Sequence, residues 1–237
     1  MGFDFVERTH VGLKRKLNED AALSMADHGL WVVADGMGGH EAGEVASAKV
    51  VEALALVPAN SELDEFVGQA VKTLESVNDA LIELGQSGVE HKTIGSTVVG
   101  IAIGQDQFRC FWAGDSRGYR IRDGQITQIT RDHSLVNDLI AAGMLNPADA
   151  ETHPNANVIT RAVGAAEVLK VDVVEGEARS GDIFLLASDG LTKVVTPVEL
   201  LAKLHSKPIA DAADMLIQMV LDRGAPDNVT LVAVRVG

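Results

Sequence analysis

Cysteine, proline, aromatic residues and positive charge are all scarce in this chain, and three of these shortages exclude something. Cys110 is the single cysteine, so no intrachain disulfide and no thiolate metal cluster can form. Six prolines lie scattered, and no Pro-rich or Gly/Ser-rich linker divides the 237 residues. Phe, Trp and Tyr together make up 4% of the chain. Lys and Arg number 20 against 34 Asp and Glu, a net charge of −14. Such a surface repels nucleic acid and anionic membrane, so neither is an expected partner. No apolar run approaches the roughly 18 residues that a membrane-spanning helix needs. The first residues, MGFDFVERTH, have neither a basic start nor an apolar core, so they do not read as a signal peptide. Val6 stands where a myristoylation signal has Ser or Thr. These absences lead us to expect a cytoplasmic protein.

What is present is apolar patterning. Hydrophobic residues are 46% of the chain, enough for one substantial core, and a single domain spanning residues 1–237 is the simplest reading. Ser96–Gly104 and Gln107–Gly114 alternate as two strands joined at Gln105-Asp106, and Gly118–Ile129 continues the meander with a turn at Asp123-Gly124. Further strands are predicted at both chain ends, FDFVERTHVG and NVTLVAVRV. Helices come in pairs. Leu63, Phe66, Val67, Ala70, Leu74, Val77 and Leu81 keep a 3.6-residue period, with Ser61 and Asp64 placed as a capping box, and Val50, Ala53, Leu54 and Val57 form a second stripe before them. Thr196-Pro197-Val198-Glu199 reads as a helix start, and Ile209, Ala212, Ala213, Leu216, Ile217 and Val220 make another apolar face. Paired helices with hairpin strands argue against βαβ alternation. The expected class is α+β: two stacked antiparallel sheets with helix pairs on both outer faces. Residues 136–160, polar and irregular after one short helix, read as a surface flap.

The acidic residues carry the chemistry. Asp35 ends the apolar run LWVVAD, Asp115 ends FRCFWAGD, Asp189 ends IFLLASD, Asp227 precedes NVTLVAVRV, and Asp20 stands before another strand. If strand ends align, these carboxylates converge, and several cannot stay ionised together without a partner. No Lys or Arg closely flanks Asp35 or Asp189 in the sequence. A hard divalent ion such as Mg²⁺ or Mn²⁺ suits all-oxygen ligands. Glycine at position 36 leaves its carbonyl bare enough to face such an ion. Asp-Gly is also the commonest turn dipeptide, and spacing does not decide between turn and ligand. The run HEAGE carries Glu44 where a zincin helix needs its second His, and neither a P-loop nor a Gly-x-Ser-x-Gly elbow is present. The histidines in DHGLW and DHSL read as turn or packing residues.

Taken in order, GLKRKLNED, VVADGMGGHEAGE, GST, WAGDSRGY, TRDHS, ITRAVG, LLASDGL and PDNVTLV resemble the motifs of the metal-dependent type 2C Ser/Thr protein phosphatases in their compact bacterial form. The resemblance runs nearly end to end. It implies a β-sandwich flanked by paired helices and a binuclear Mn²⁺ or Mg²⁺ centre. Asp35 would bridge both ions, the Gly36 carbonyl would bind one, Asp189 and Asp227 the other, and Glu19 and Asp20 would act chiefly through water. A third, weaker ion would lie on Asp115 and Asp189. Arg15 matches a phosphate-binding arginine, and His40 a histidine proposed as general acid. Taken alone, Arg15 reads as a surface cation beside Lys14 and Lys16, and His40 as a helix-start residue that packs or caps. The implied reaction is hydrolysis of phosphoserine and phosphothreonine by a hydroxide shared between two ions, reversing a bacterial Ser/Thr kinase. The expected partners are phosphorylated proteins, and the chain is expected to act as a monomer without an attached kinase, anchor or sensor. Two alternatives stand beside this reading: a metal-dependent hydrolase of other phosphate esters, and a non-catalytic phosphoprotein-binding module.

Overall fold

The computed structural model describes residues 2–38, 42–60, 62–87, 93–150 and 152–237. Eleven strands are described: β1 (Phe3–His10), β2 (Asp20–Met25), β3 (Leu30–Met37), β4 (Gly95–Ser96), β5 (Val98–Gly104), β6 (Gln107–Ala113), β7 (Arg117–Arg122), β8 (Gln125–Gln128), β9 (Asp172–Glu177), β10 (Ile183–Ala187) and β11 (Val229–Val236). The helices are α1 (Ala42–Ala55), α2 (Leu63–Gln86), α3 (Leu135–Ala141), the single turn α4 (Asp189–Thr192), α5 (Pro197–Ser206) and α6 (Ile209–Asp222). One sheet runs β1-β11-β10-β7-β8 and the other β2-β3-β5-β6-β9, with β4 paired to β3. All pairings are antiparallel among the described residues.

Strand periodicity explains why the central runs are apolar throughout. On β3, Leu30, Val32 and Ala34 face α1 and α2, while Trp31 and Val33 face the opposite sheet. On β10, Leu185 and Ala187 face α5 and α6, while Phe184 and Leu186 meet the other sheet. A strand buried on both faces has no polar alternation to show. The result is three apolar layers in a helix–sheet–sheet–helix stack, as the sequence pattern predicts. The middle layer holds Trp31, Ile101, Phe108, Phe184 and Val232, and Phe108 stands 5.0 Å from Phe184 between ring centroids.

The helix stripes of α2 and α6 fall on the buried faces the period predicts. At α5 the capping box forms: Thr196 Oγ1 accepts from the Glu199 amide, and the Glu199 carboxylate accepts from the Thr196 amide at 2.9 Å. The capping box expected at Ser61 and Asp64 is not supported: Ser61 lies outside the described residues, and Asp64 is paired with Arg109 at 2.7 Å. Both predicted hairpin turns exist, with positive φ at Gln105, Asp106, Asp123 and Gly124.

The continuous meander through residues 96–129 needs correcting. β5–β6 belongs to one sheet and β7–β8 to the other, so the chain changes sheets at 114–116. The corner is made by Gly114 at φ +125, where a Cβ would press on the Thr97 side chain. The sequence also conceals β9, whose run DVVEGE lacks a clean alternation, and α4, which is a single turn.

Phe184→Ala is expected to cost about 3–5 kcal/mol of stability, because it empties the middle layer where the two sheets meet. Urea unfolding monitored by tryptophan fluorescence measures it; a loss below about 1 kcal/mol would say the sheets do not depend on each other there.

Candidate metal centre

The acidic strand ends meet at one end of the sandwich. In the β2–β3 register Asp20 lies directly opposite Asp35. Like charges facing each other across strands destabilise a sheet, so this pairing calls for a compensating group. Asp189 opens α4 immediately after β10, and Asp227 precedes β11. Asp115 sits on the corner where the chain changes sheets. Two strands of one sheet, two of the other and the crossover between them therefore supply the five aspartates.

Hydrogen bonds lock the frame. Ser188 donates to Asp20 Oδ2 at 2.8 Å, joining the two sheets. Thr97 Oγ1 accepts from the Asp35 amide at 3.1 Å and shares a 2.8 Å hydrogen bond with Ser116. Ser96 Oγ and the Thr97 amide both donate to the Asp35 carbonyl. Asn228 accepts from the Glu19 amide and donates to the Val11 and Leu17 carbonyls, fixing the loop that carries Arg15. At position 36 the glycine is required for a reason the sequence does not reveal. The Gly36 amide donates to the Glu19 carbonyl at 2.9 Å, and a Cβ would overlap the Gly43 carbonyl oxygen at the start of α1. Ser188, Thr97, Ser116 and Asn228 are supporting residues that the sequence does not single out; all four lie inside the motifs named above, but nothing local marks them as braces.

Electrostatics follow from this crowding. Burial first, then Asp20 and Asp189, hold Asp35 well above the usual carboxylate range. Asp20 is pushed up to about 7 by burial, against the opposing hydrogen bonds from Ser188 and Thr230. Asp115 is raised to about 6 by burial and then by Asp189, and its Oδ1 is buried with no hydrogen-bond partner. Two cations reach the cluster. Arg15 donates to Asp227 Oδ2 at 2.8 Å, and Lys193 lies 2.6 Å from Asp189 Oδ2 and 3.7 Å from Asp115 Oδ2. No Lys or Arg closely flanks Asp189 in the sequence, but Lys193, the C-cap residue of α4 and its i,i+4 neighbour, supplies a cation there. Among the described residues, no three His, Cys, Asp or Glu side chains are drawn into a cluster tight enough to ligate one ion; Asp227 and Asp189 are turned instead onto Arg15 and Lys193. The donor set nonetheless fits hard divalent ions: it consists of carboxylates and a backbone carbonyl, and their raised proton affinity marks a deficit of positive charge.

His40 lies outside the described residues. His133 is a packing residue, as expected: it stacks on Trp112, accepts from the Gly114 amide at 3.2 Å and faces Asp172 at 3.2 Å. Burial lowers its pKa. The flap region holds α3, capped by the Ser134 side chain, and its base is closed by a bridge between Ser134 and Ile159.

Comparison with known proteins agrees with this frame. The family model described as Protein phosphatase 2C matches residues 13–229. The serine/threonine protein phosphatase PstP of Mycobacterium tuberculosis is 36% identical over 228 residues, covering 96% of this chain; the chain spans 44% of that protein's length. Among solved structures, PppA of Pseudomonas aeruginosa superposes with a TM-score of 0.90 at 40% identity, covering 99% of this chain and 98% of that one. The catalytic domain of PstP in complex with two manganese ions gives a TM-score of 0.87 at 36% identity, with 99% of each chain covered. The chain belongs to the protein phosphatase 2C family.

The sign of the pH dependence follows from the raised carboxyl groups. Asp20 and Asp115 keep their protons in the folded state over a range where the unfolded chain has lost them. Their contribution to the stability of the metal-free protein is full below the ordinary carboxylate value near 4 and is lost progressively as pH rises through about 6 to 7. Mn²⁺ is expected to reverse the fall by binding only the ionised folded centre. Melting temperatures at about pH 5 and about pH 8, with EDTA or with Mn²⁺, measure both effects. A metal-free melting temperature that rises over that range would contradict the assignment.

Proposed function

We propose that residues 1–237 act as one catalytic domain that hydrolyses phosphoserine and phosphothreonine in proteins, with two Mn²⁺ or Mg²⁺ ions. The observation that carries the reading is the opposition of two buried aspartates, Asp20 and Asp35, across neighbouring strands, with Asp189 within electrostatic reach. The name serine/threonine protein phosphatase given to PstP, and the two manganese ions bound by its catalytic domain, support it.

In this reading Asp35, the Gly36 carbonyl, Asp189 and Asp227 would hold the two ions. Glu19 and Asp20 would act on them through water. The ions supply Lewis acidity and lower the pKa of a water molecule toward neutrality. The chain's own residues do the rest. Thr97 and Ser96 fix the backbone on both sides of the Asp35 peptide, so its carboxylate is presented at a set position. Arg15, half-exposed at the rim and anchored through its loop to Asn228, offers a planar fork to two oxygens of a phosphate dianion. His40 gives a proton to the departing seryl or threonyl oxygen.

No helix among the described residues is long and apolar enough to cross a membrane. We place the chain in the cytoplasm as a monomer, meeting phosphorylated proteins that include a Ser/Thr kinase and its substrates. Residues 136–160, beside the centre, form the flap that adjusts which phosphoprotein is accepted.

Phosphate release from a phosphothreonine peptide, titrated with Mn²⁺ and Mg²⁺, is the direct test. Asp35→Ala and Asp189→Ala are expected to lose at least about 100-fold in kcat, with the fold retained by circular dichroism. Turnover that survives exhaustive EDTA dialysis would sink the metal requirement, and faster hydrolysis of ATP or a bis-aryl phosphate would move the substrate class. His40→Ala is expected to slow phosphopeptide hydrolysis by roughly 10²–10⁴-fold while sparing aryl phosphates, whose leaving group needs little protonation. Equal losses on both substrates would argue against the acid role.

A further inference from the structure

The phosphatase resemblance places a third ion on Asp115 and Asp189, and the geometry there points elsewhere. Lys193 extends from α4 so that its Nζ lies 2.6 Å from Asp189 Oδ2 and 3.7 Å from Asp115 Oδ2. The same nitrogen donates to the Asn157 side chain at 2.9 Å. A Mg²⁺, Mn²⁺ or Ca²⁺ ion shared by those two carboxylates would need oxygen ligands at roughly 2.0–2.6 Å. The ammonium already stands at nearly that distance from Asp189 and on the Asp115 side of it. An ion and an ammonium cannot share that place: they overlap sterically and repel electrostatically.

We infer that in this chain the Lys193 ammonium fills the position of the third ion, so that the centre binds two divalent ions and carries its third cation covalently. The inference rests on the two-ion phosphatase reading. It also gives the lysine a second task. Asn157 lies at the returning end of the flap, whose base is held by the Ser134–Ile159 bridge. Asp115 lies on the corner between the sheets, clamped to the segment that leads into α3. The His133 amide donates to the Gly114 carbonyl, the Gly114 amide donates to the His133 ring Nδ1, and Arg117 is paired with Asp132 at 2.7 Å. Lys193 closes this loop from the other side. It is a positioning residue that ties flap, crossover and centre together with a charge that chelators cannot remove. Reading it from the sequence was not possible, because a lysine four residues after an aspartate on a helix reads as an ordinary surface pair.

The test is Mn²⁺ stoichiometry, by equilibrium dialysis and metal analysis on the full chain up to millimolar Mn²⁺. Wild type is expected to saturate at two ions per chain. Lys193→Asp, which removes the ammonium and adds a carboxylate, is expected to bind three; Lys193→Gln serves if the charge reversal prevents folding, and is also expected to accept a third ion. Asn157→Ala frees the flap contact but leaves Lys193 on both carboxylates, so it is expected to remain at two. Wild type binding three ions with phosphate release intact would overturn the Lys193 assignment alone. Either Lys193 variant, folded and still binding two, would overturn it as well, as would a third ion in Asn157→Ala. Wild type binding fewer than two ions, or releasing no phosphate, would instead contradict the phosphatase reading itself.

Discussion

The structure turns on two buried aspartates that face each other across a strand pair. Asp20 and Asp35 occupy opposing positions of β2 and β3, inside a protein whose net charge is already −14. An antiparallel sheet tolerates that opposition only if the carboxyls are protonated, hydrogen-bonded or bridged by a cation. Two of these responses are visible at the pair itself, and cations stand on its acidic neighbours. Both groups are raised in proton affinity, Ser188 donates to Asp20, and Arg15 and Lys193 pair with the neighbouring Asp227 and Asp189. A site that concentrates negative charge at this density is unstable toward protons and receptive toward divalent ions.

The sandwich is what makes that density possible. Each sheet alone brings only part of the set to its edge. The chain's change of sheets at Gly114 puts Asp115 at the seam, and Ser188 bonds across it. The same seam continues into the flap through residues 130–134, so the irregular flap is anchored to the crossover beside the acidic cluster. Stacking of Trp112 on His133 and the bidentate contact of Arg117 with Asp132 make that anchor stiff.

Charge also bears on how an acidic protein could take the acidic substrate proposed for it. A phosphorylated side chain approaching this surface meets long-range repulsion, which salt screens within about 10 Å. Attraction must then come from cations placed at the site itself. Arg15 at the rim and Lys193 on α4 supply two of them from the chain. Their carboxylate partners raise the pKa of both, and the pairing with Asp227 holds Arg15 at the rim.

Much of this was legible in the linear chain. Unbroken apolar runs in LWVVAD and IFLLASD marked strands covered on both faces, and a 3.6-residue period marked α2 and α6. The Thr196 capping box could be read residue by residue. These features depend on local geometry, which neighbours in sequence determine. The acidic strand ends were visible as candidates for the same reason. Their opposition was not, because register and sheet membership are set by contacts between residues far apart in the chain. Neither the split of the meander between two sheets, nor the true reason for Gly36, nor the reach of Lys193 from Asp189 to Asn157 has a local signature. The sequence by itself determined the elements, the layers and the chemical character of the site; the tertiary structure decided which carboxylates meet and which cation stands between them, since electrostatic partners are chosen by proximity in space and not along the chain.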